Sequence, residues 1–389
     1  MKNRKILATA AALTVIGAMA TGCLKDTPMI AETQTENGTA AEKNLRAEIS
    51  AVPDAAGEAD DKKPDAEETT IIDGVEIVNS YDNTEKLMDK FPVVNKTELR
   101  TDLEKGIANR LLTGFENWNR GFDAWKAWGS ILYTEDSIYN VHGARLTLPE
   151  YQASMDMILK QMDLTMGNFN NMLIVDDWAA IYYDINTNGK PGTTMEFVKF
   201  KDYGDELGVR VVEGWGGPKD KSYDSMCHFQ TEEENASEKA AWMKVMEYRI
   251  PDTDVLEDKY IVKNPTTVDE SGLEIKEKLL QDFEYWNKGS EDWSVFADQL
   301  YSKDAVYHRN GNDLSLKEMK EKALEEEKTA EVTKLYFDNM LIRDNWAAIH
   351  YRELIEDKSS GEKEACDRME FLHFDDADGE LKVIEHWVK

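Results

Sequence analysis

The stretch LLTGFENWNRGFDAWKAWGSILYTEDSIYN, Leu111 to Asn140, recurs as LLQDFEYWNKGSEDWSVFADQLYSKDAVYH, Leu279 to His308, with Leu279 standing 168 residues after Leu111. Phe115, Trp118, Asn119, Gly121, Trp125, Tyr133, Asp136 and Tyr139 meet identical residues at Phe283, Trp286, Asn287, Gly289, Trp293, Tyr301, Asp304 and Tyr307. The register holds without a gap through NNMLIVDDWAAIYY and DNMLIRDNWAAIHY, so that Trp178 faces Trp346. It then slips, pairing Met195-Glu196-Phe197 with Met369-Glu370-Phe371, and Glu213 and Trp215 with Glu385 and Trp387. The lead-in repeats too, DKFPVVN from Asp89 against DKYIVKN from Asp258. A period of this size is that of a whole domain, longer than any solenoid repeat, and implies duplication.

Within the unit, Leu103, Ile107, Leu111, Phe115 and Trp118 recur at helical spacing and predict a first helix that ends at Gly121. A short second helix passes through Trp125, Trp128 and Leu132, and DSIYNVHG reads as a strand. LTLPEYQASMDMILKQM predicts a third helix with Pro149 in its first turn. The remainder reads as a meander: Asn168 to Val175, Trp178 to Ile185, Thr194 to Lys201 and Val209 to Trp215. Helices first and strands after give an α+β layout, N-terminal helices packed on one curved antiparallel sheet, twice in tandem.

Of 389 residues, 77 are acidic and 46 basic, a formal charge of −31, which opposes a phosphate backbone and excludes nucleic acid as a main partner. The N-terminus carries Lys2, Arg4 and Lys5, an apolar run from Ile6 to Ala20, then Ala20-Thr21-Gly22 before Cys23. That is a secretory signal, too short to span a membrane. Its end resembles the bacterial lipoprotein signal. The resemblance implies cleavage before Cys23 and acylation of that residue, with palmitate-type chains as the anchor. The expected division is therefore signal 1–22, lipidated Cys23 and a disordered acidic tether over 23–70, a lead-in over 71–96, a first domain over 97–217, a linker over 218–264 and a second domain over 265–389. The linker reads as extended, with one short helix around Ala240 to Met246 and Trp242 packed on a domain. Cys227 and Cys366 lie in different regions, and whether they pair is open.

ENWNRGFDAWKAWGSILYTEDSIYN, with NWAAIHY and the closing LKVIEHWVK, resembles the SnoaL-like branch of the nuclear-transport-factor-2-like superfamily over 97–217 and 265–389. The resemblance implies a cone-shaped α+β barrel with a pocket between helices and concave sheet. It also implies either a small-molecule cyclase, isomerase or dehydratase, or a protein that only binds or dimerises. The acidic residue that often follows Trp-Asn-x-Gly in that family is Phe122 in the first copy and Ser290 in the second.

Four of six histidines, His308, His350, His373 and His386, lie in the second copy, opposite Asn140, Tyr182, Lys199 and Gly214. Proton transfer, where present, is expected there, with His308, His386 and Glu385 as acid/base candidates. The alternative places these histidines on a solvated or partner-facing sheet surface. In NWAAIHYRE, strand alternation turns His350 outward. Trp118, Tyr139 and Asn140, with Trp286, Tyr307 and His308, are the candidate ligand-binding residues. The tryptophans, Trp178 among them, serve as core as well as wall. Glu196 and Glu370, like Glu213 and Glu385, either line both pockets or pair across strands with Lys or Arg. No Cys/His/Asp cluster has metal-ligand spacing, and no phosphate loop or nucleophile elbow occurs, so neither metal nor cofactor is expected. The expectation is an extracytoplasmic protein, lipid-anchored in the cell membrane or a Gram-negative outer membrane. It binds a small apolar molecule or serves as a protein-interaction scaffold, its copies packed as an intrachain pseudo-dimer. The alternative is a cyclase, isomerase or hydratase.

Overall fold

The computed structural model describes residues 67–81, 93–204, 208–220, 229–309, 311–377 and 379–389. The signal, Cys23, the tether to residue 66 and Cys227 lie outside the described residues; Cys366 is buried.

Chain order begins with β1 (Glu67–Ile72) and β2 (Val75–Tyr81), a hairpin, and then β3 (Val93–Lys96). The first helix, α1 (Asp102–Asn119), starts at a capping box in which Glu104 N–H donates to Thr101 Oγ1 at 3.1 Å and Thr101 N–H to Glu104 Oε2 at 3.0 Å. Its buried stripe holds Ile107, Leu111, Phe115 and Trp118. Helix α2 (Phe122–Leu132) follows Gly121, whose φ of 118° suits glycine and costs any residue with a Cβ. The recurring Trp-Asn is a clamp. Trp118 Nε1–H donates to the Leu164 carbonyl at 2.8 Å, and the Asn119 amide brackets Met166, accepting from its N–H at 2.9 Å and donating to its carbonyl at 3.1 Å.

The chain continues through β4 (Tyr133–Val141), β5 (Ala144–Thr147), α3 (Leu148–Leu159), β6 (Leu164–Val175), β7 (Trp178–Thr187), β8 (Lys190–Asp202) and β9 (Val209–Gly216). The connection carries α4 (Glu232–Glu247) and α5 (Leu256–Lys259). The second unit runs β10 (Val262–Pro265), a 3-10 turn at Glu270–Gly272, α6 (Leu273–Trp286), α7 (Ser290–Leu300), β11 (Tyr301–Arg309), β12 (Asn312–Ser315) and α8 (Leu316–Glu327). It closes with β13 (Ala330–Arg343), β14 (Trp346–Asp357), β15 (Lys363–Ala377) and β16 (Glu380–Val388). The clamp recurs, with Trp286 Nε1–H on the Val332 carbonyl at 3.1 Å and the Asn287 amide on both polar groups of Lys334 at 2.8 Å. Gly289 repeats the left-handed turn, at φ 124°.

The sheets share one topology, β3-β6-β7-β8-β9-β4-β5 and β10-β13-β14-β15-β16-β11-β12. They are mixed, which corrects the expected antiparallel sheet. β3 runs parallel to β6 and β4 to β9, as β10 does to β13 and β11 to β16. The meander is antiparallel, as are the β4–β5 and β11–β12 pairs. β4 and β11 come straight from a helix, and the long path through helix and meander lets the last strand return beside them in the same direction. The edge strands β3 and β10 begin within the lead-in and linker, before positions 97 and 265. α4 also runs well beyond the short helix expected there. Its Trp242 lies against Lys219 and Arg352, whose cationic groups sit 4.6 Å from the ring.

Each sheet buries both faces. In β7, Ala179, Ile181 and Tyr183 pack toward the first unit's own helices, while Trp178, Ala180 and Tyr182 join Leu341, Trp346, Ala348 and Phe371 in a cluster between the units. His350 faces away from its own helices, yet it is fully buried at the junction: it bonds Asp367 of its own sheet at 2.8 Å, and Trp215 of the other unit lies 5.0 Å away. Burial opposes ionisation of Asp367, but Arg352 and His350 outweigh it and hold the carboxyl at about 2. A buried ion pair, Arg343 Nη2 to Glu104 Oε1 at 2.8 Å, also crosses the boundary, as does Arg100 to Asp269 at 2.7 Å nearer solvent.

Candidate functional site

Between the helices and concave sheet of the first unit lies a cavity of about 230 Å³; its counterpart in the second is about 80 Å³. A cavity of roughly 150 Å³ accepts benzene, so only the first has room for a ring-sized molecule. Its wall is aromatic and aliphatic, including Trp118, Trp125, Trp128, Tyr133, Tyr151 and Met155. Tyr139 and Tyr151 stack at 4.5 Å.

A buried carboxyl sits among these rings. Glu196 points inward from β8 and accepts from Tyr183 Oη at 2.5 Å and from Tyr139 Oη. Burial raises its pKa, and the two phenols only partly oppose this. Burial and the neighbouring carboxyl push Tyr139 and Tyr183 well up, so both stay neutral. When Glu196 is protonated, three O–H groups share two contacts. One O–H is then left to donate to an oxygen in the cavity.

At the equivalent rung of the second unit the same acid behaves oppositely. Glu370 accepts from Tyr351 Oη at 2.7 Å and meets His386 Nε2 at 3.0 Å, while His386 Nδ1 lies 2.8 Å from Tyr301 Oη. Burial resists its ionisation, but the charges of His386 and then Lys334 overcome this and hold Glu370 at about 2. Lys334 is itself buried, paired with Asp282 at 2.6 Å. These side chains fill the space that the first unit leaves open.

Of the candidate ligand-binding residues, Trp118 and Tyr139 line the first cavity, and Trp286 and Tyr307, with His386, line the second. Asn140 and His308 line neither. Asn140 is buried, with its amide on the Gly214 carbonyl at 3.2 Å, and His308 bonds Asp313 at 2.8 Å and stacks on Trp387. Both follow a tyrosine that faces inward, and strand alternation turns them the other way. Glu385 likewise points outward, 3.5 Å from His373. Trp178 belongs to the cluster between units, not to a cavity. The repeated acids Glu196 and Glu370 are the wall carboxyls. Their sequence signal was an acid held between Met and Phe in both copies. Among the described residues no group of three or more His, Cys, Asp or Glu is placed to hold a metal ion. No described helix is long and apolar enough to cross a membrane.

No family model matches this chain, and no curated protein does. Among solved structures it is similar to a ketosteroid isomerase-like protein from Erwinia carotovora atroseptica, at 14% identity and a TM-score of 0.26, covering 31% of this chain and 96% of that one. It is similar to a SnoaL-like polyketide cyclase from Agrobacterium tumefaciens, at 10% identity and 0.25, covering 30% and 89%. An NTF2-like protein of unknown function from Exiguobacterium matches at 10% identity and 0.24, covering 29% and 94%. Each likeness extends over about one unit's length of this chain.

Proposed function

We propose that this chain is a lipid-anchored extracytoplasmic protein, with two SnoaL-like domains, whose first domain holds a small, largely apolar molecule without converting it. The observation that carries the reading is the roughly threefold difference between cavities of about 230 and 80 Å³ in two copies of one fold. Apolar walls with few convergent polar groups suit a ring-sized ligand that offers oxygen to them. In the first cavity, Glu196 and its tyrosines favour a neutral hydrogen-bonding set over an ionised base. Anchoring rests on the basic, apolar and small-residue run that ends at Cys23.

A second reading is acid/base catalysis in the second domain. It is favoured by the Tyr301–His386–Glu370 chain, where an imidazole bridges a phenol and an ionised carboxylate. The small volume beside that chain weighs against it.

Native mass spectrometry of protein purified from its own host tests the binding reading. A bound small molecule is expected on the natural chain and absent from Met155→Trp, which fills the first cavity. An adduct retained at equal occupancy by the variant contradicts it.

A further inference from the structure

The first cavity is not closed by its own unit alone. Arg309, Arg368, Val388 and Lys389, all from the second unit, form part of its wall, beside Gly216, Gly217 and Lys219. Arg309, Arg368 and Val388 line the second cavity as well, so one partition of side chains separates the two spaces. In a chain of formal charge −31, four basic residues meet at this end.

The charges there nearly balance. Arg309 meets Glu326 at 2.9 Å, Arg368 meets Glu353 at 2.7 Å, and Lys219 meets Glu364 at 3.7 Å, with Asp220 also in the wall. Lys389 makes no ion pair among the described residues. Its surroundings hold His142, Lys219, Asp220, Arg309 and Arg368. Burial lowers its ammonium to about 8, the response of a desolvated cation that lacks an anionic partner. Burial likewise keeps His142 below its ordinary value, so the imidazole adds no charge at neutral pH.

We propose that the junction end of the first cavity is an anion-recognition rim and that its ligand is an amphipathic monocarboxylate. The apolar body lies among the aromatic side chains, and the carboxylate meets Lys389, flanked by Arg309 and Arg368. Lys389, the cation there with no ion pair among the described residues, suits one negative charge; a dianionic phosphate would bring a second charge to a rim whose other cations already have carboxylate partners. The inference rests on the reading of the first cavity as a binding site. It adds a ligand class, and it makes the second unit a contributor to the first unit's site.

Calorimetric titration of the full chain with 1-naphthaleneacetic acid, its neutral primary amide and naphthyl phosphate tests this. At pH 7 and low salt the carboxylate is expected to bind about 10-fold tighter than the amide, as charge-assisted hydrogen bonds do. It should also bind tighter than the phosphate. Lys389→Met should erase the carboxylate's advantage over the amide, and this variant removes no ion pair found among the described residues. Arg309→Gln, with thermal unfolding as a control for folding, should reduce the advantage in part. Equal binding of acid and amide, or an advantage that survives Lys389→Met, overturns the anionic rim while leaving the cavity reading intact. Phosphate bound more tightly than carboxylate overturns the monocarboxylate. If none of the three probes binds, the cavity reading falls with it.

Discussion

The ring of Tyr139 lies against the backbone of Gly214, where an added Cβ would stand 2.2 Å from Tyr139 Cε2. The two residues are partners across β4 and β9, as Tyr307 and His386 are across β11 and β16. Glycine lets the tyrosine swing in and bond Glu196 directly. In the second unit the imidazole takes that place and bonds Glu370. At this rung one side chain separates the larger cavity from the smaller.

Gly214→Ala should therefore do more than add a methyl group. The Cβ cannot coexist with the ring, so Tyr139 must leave Glu196, at a cost of about 1–3 kcal/mol for overpacking. Urea unfolding measures the loss, and the quenching of nearby tryptophans reports displacement of the ring. A Gly214→Ala chain as stable as the natural one would show that Tyr139 does not need that space.

Opposite pKa directions at Glu196 and Glu370 give opposite dependences on pH. Glu196 is raised in the fold, so as pH climbs the unfolded chain loses that proton first, and this carboxyl's contribution declines through its folded pKa. Glu370, held at about 2, contributes fully above the ordinary glutamate value, and its contribution is lost as pH falls toward 2. Measured by urea unfolding between pH 3 and 8, Glu196→Gln should be most favourable, relative to the natural chain, at the alkaline end. Glu370→Gln should be most costly there and least costly at pH 3. Parallel curves for both variants would refute the assignment.

Arg343 and Glu104 join the units in a setting where neither is hydrated, with side-chain exposures of 6% and 1%. Burial raises the Glu104 pKa, but the bonds from Arg343 and from the Arg100 and Thr101 N–H groups outweigh it, leaving the carboxyl below its usual range. Arg343→Met strands that carboxylate and should cost about 3–5 kcal/mol, whereas replacing both partners by apolar residues should restore much of the loss. A double-mutant cycle in guanidinium chloride measures the coupling; a value near zero would deny the pair its bridging role.

Cys23→Ser should shift the protein from the detergent phase to the aqueous phase in a phase-partitioning assay, since acyl chains on Cys23 are the proposed anchor. Unchanged partitioning would remove the lipoprotein reading.

The repeat made much of this architecture legible. Leu111 to Asn140 and its copy placed the helices, and Gly121 marked the end of the first, while the Trp-Asn clamp beside it emerges only from the contacts to Leu164 and Met166. Parallel pairing was not legible, because β4 and β9 lie far apart in sequence and alternation within a strand says nothing of its partner's direction. Asn140 and His308 were drawn toward the site by standing next to Tyr139 and Tyr307, but one step along a strand reverses the face. The polar chemistry of the first cavity escaped because Glu196 reads as an ordinary strand acid until Tyr139 and Tyr183 are brought to it from β4 and β7. Runs such as NMLIVDDWAAIYY carried a further signal: apolar on both parities, they belong to a sheet covered on both faces.

The central claim is that the first unit, and not the second, encloses space for a small apolar molecule. Diffraction from a crystal pressurised with xenon tests it most directly, because xenon enters dry apolar cavities without needing the natural ligand. Anomalous density is expected among Trp118, Trp125, Tyr139 and Met155, with none beside Glu370 and His386. Xenon in the second cavity alone, or in neither, would contradict it.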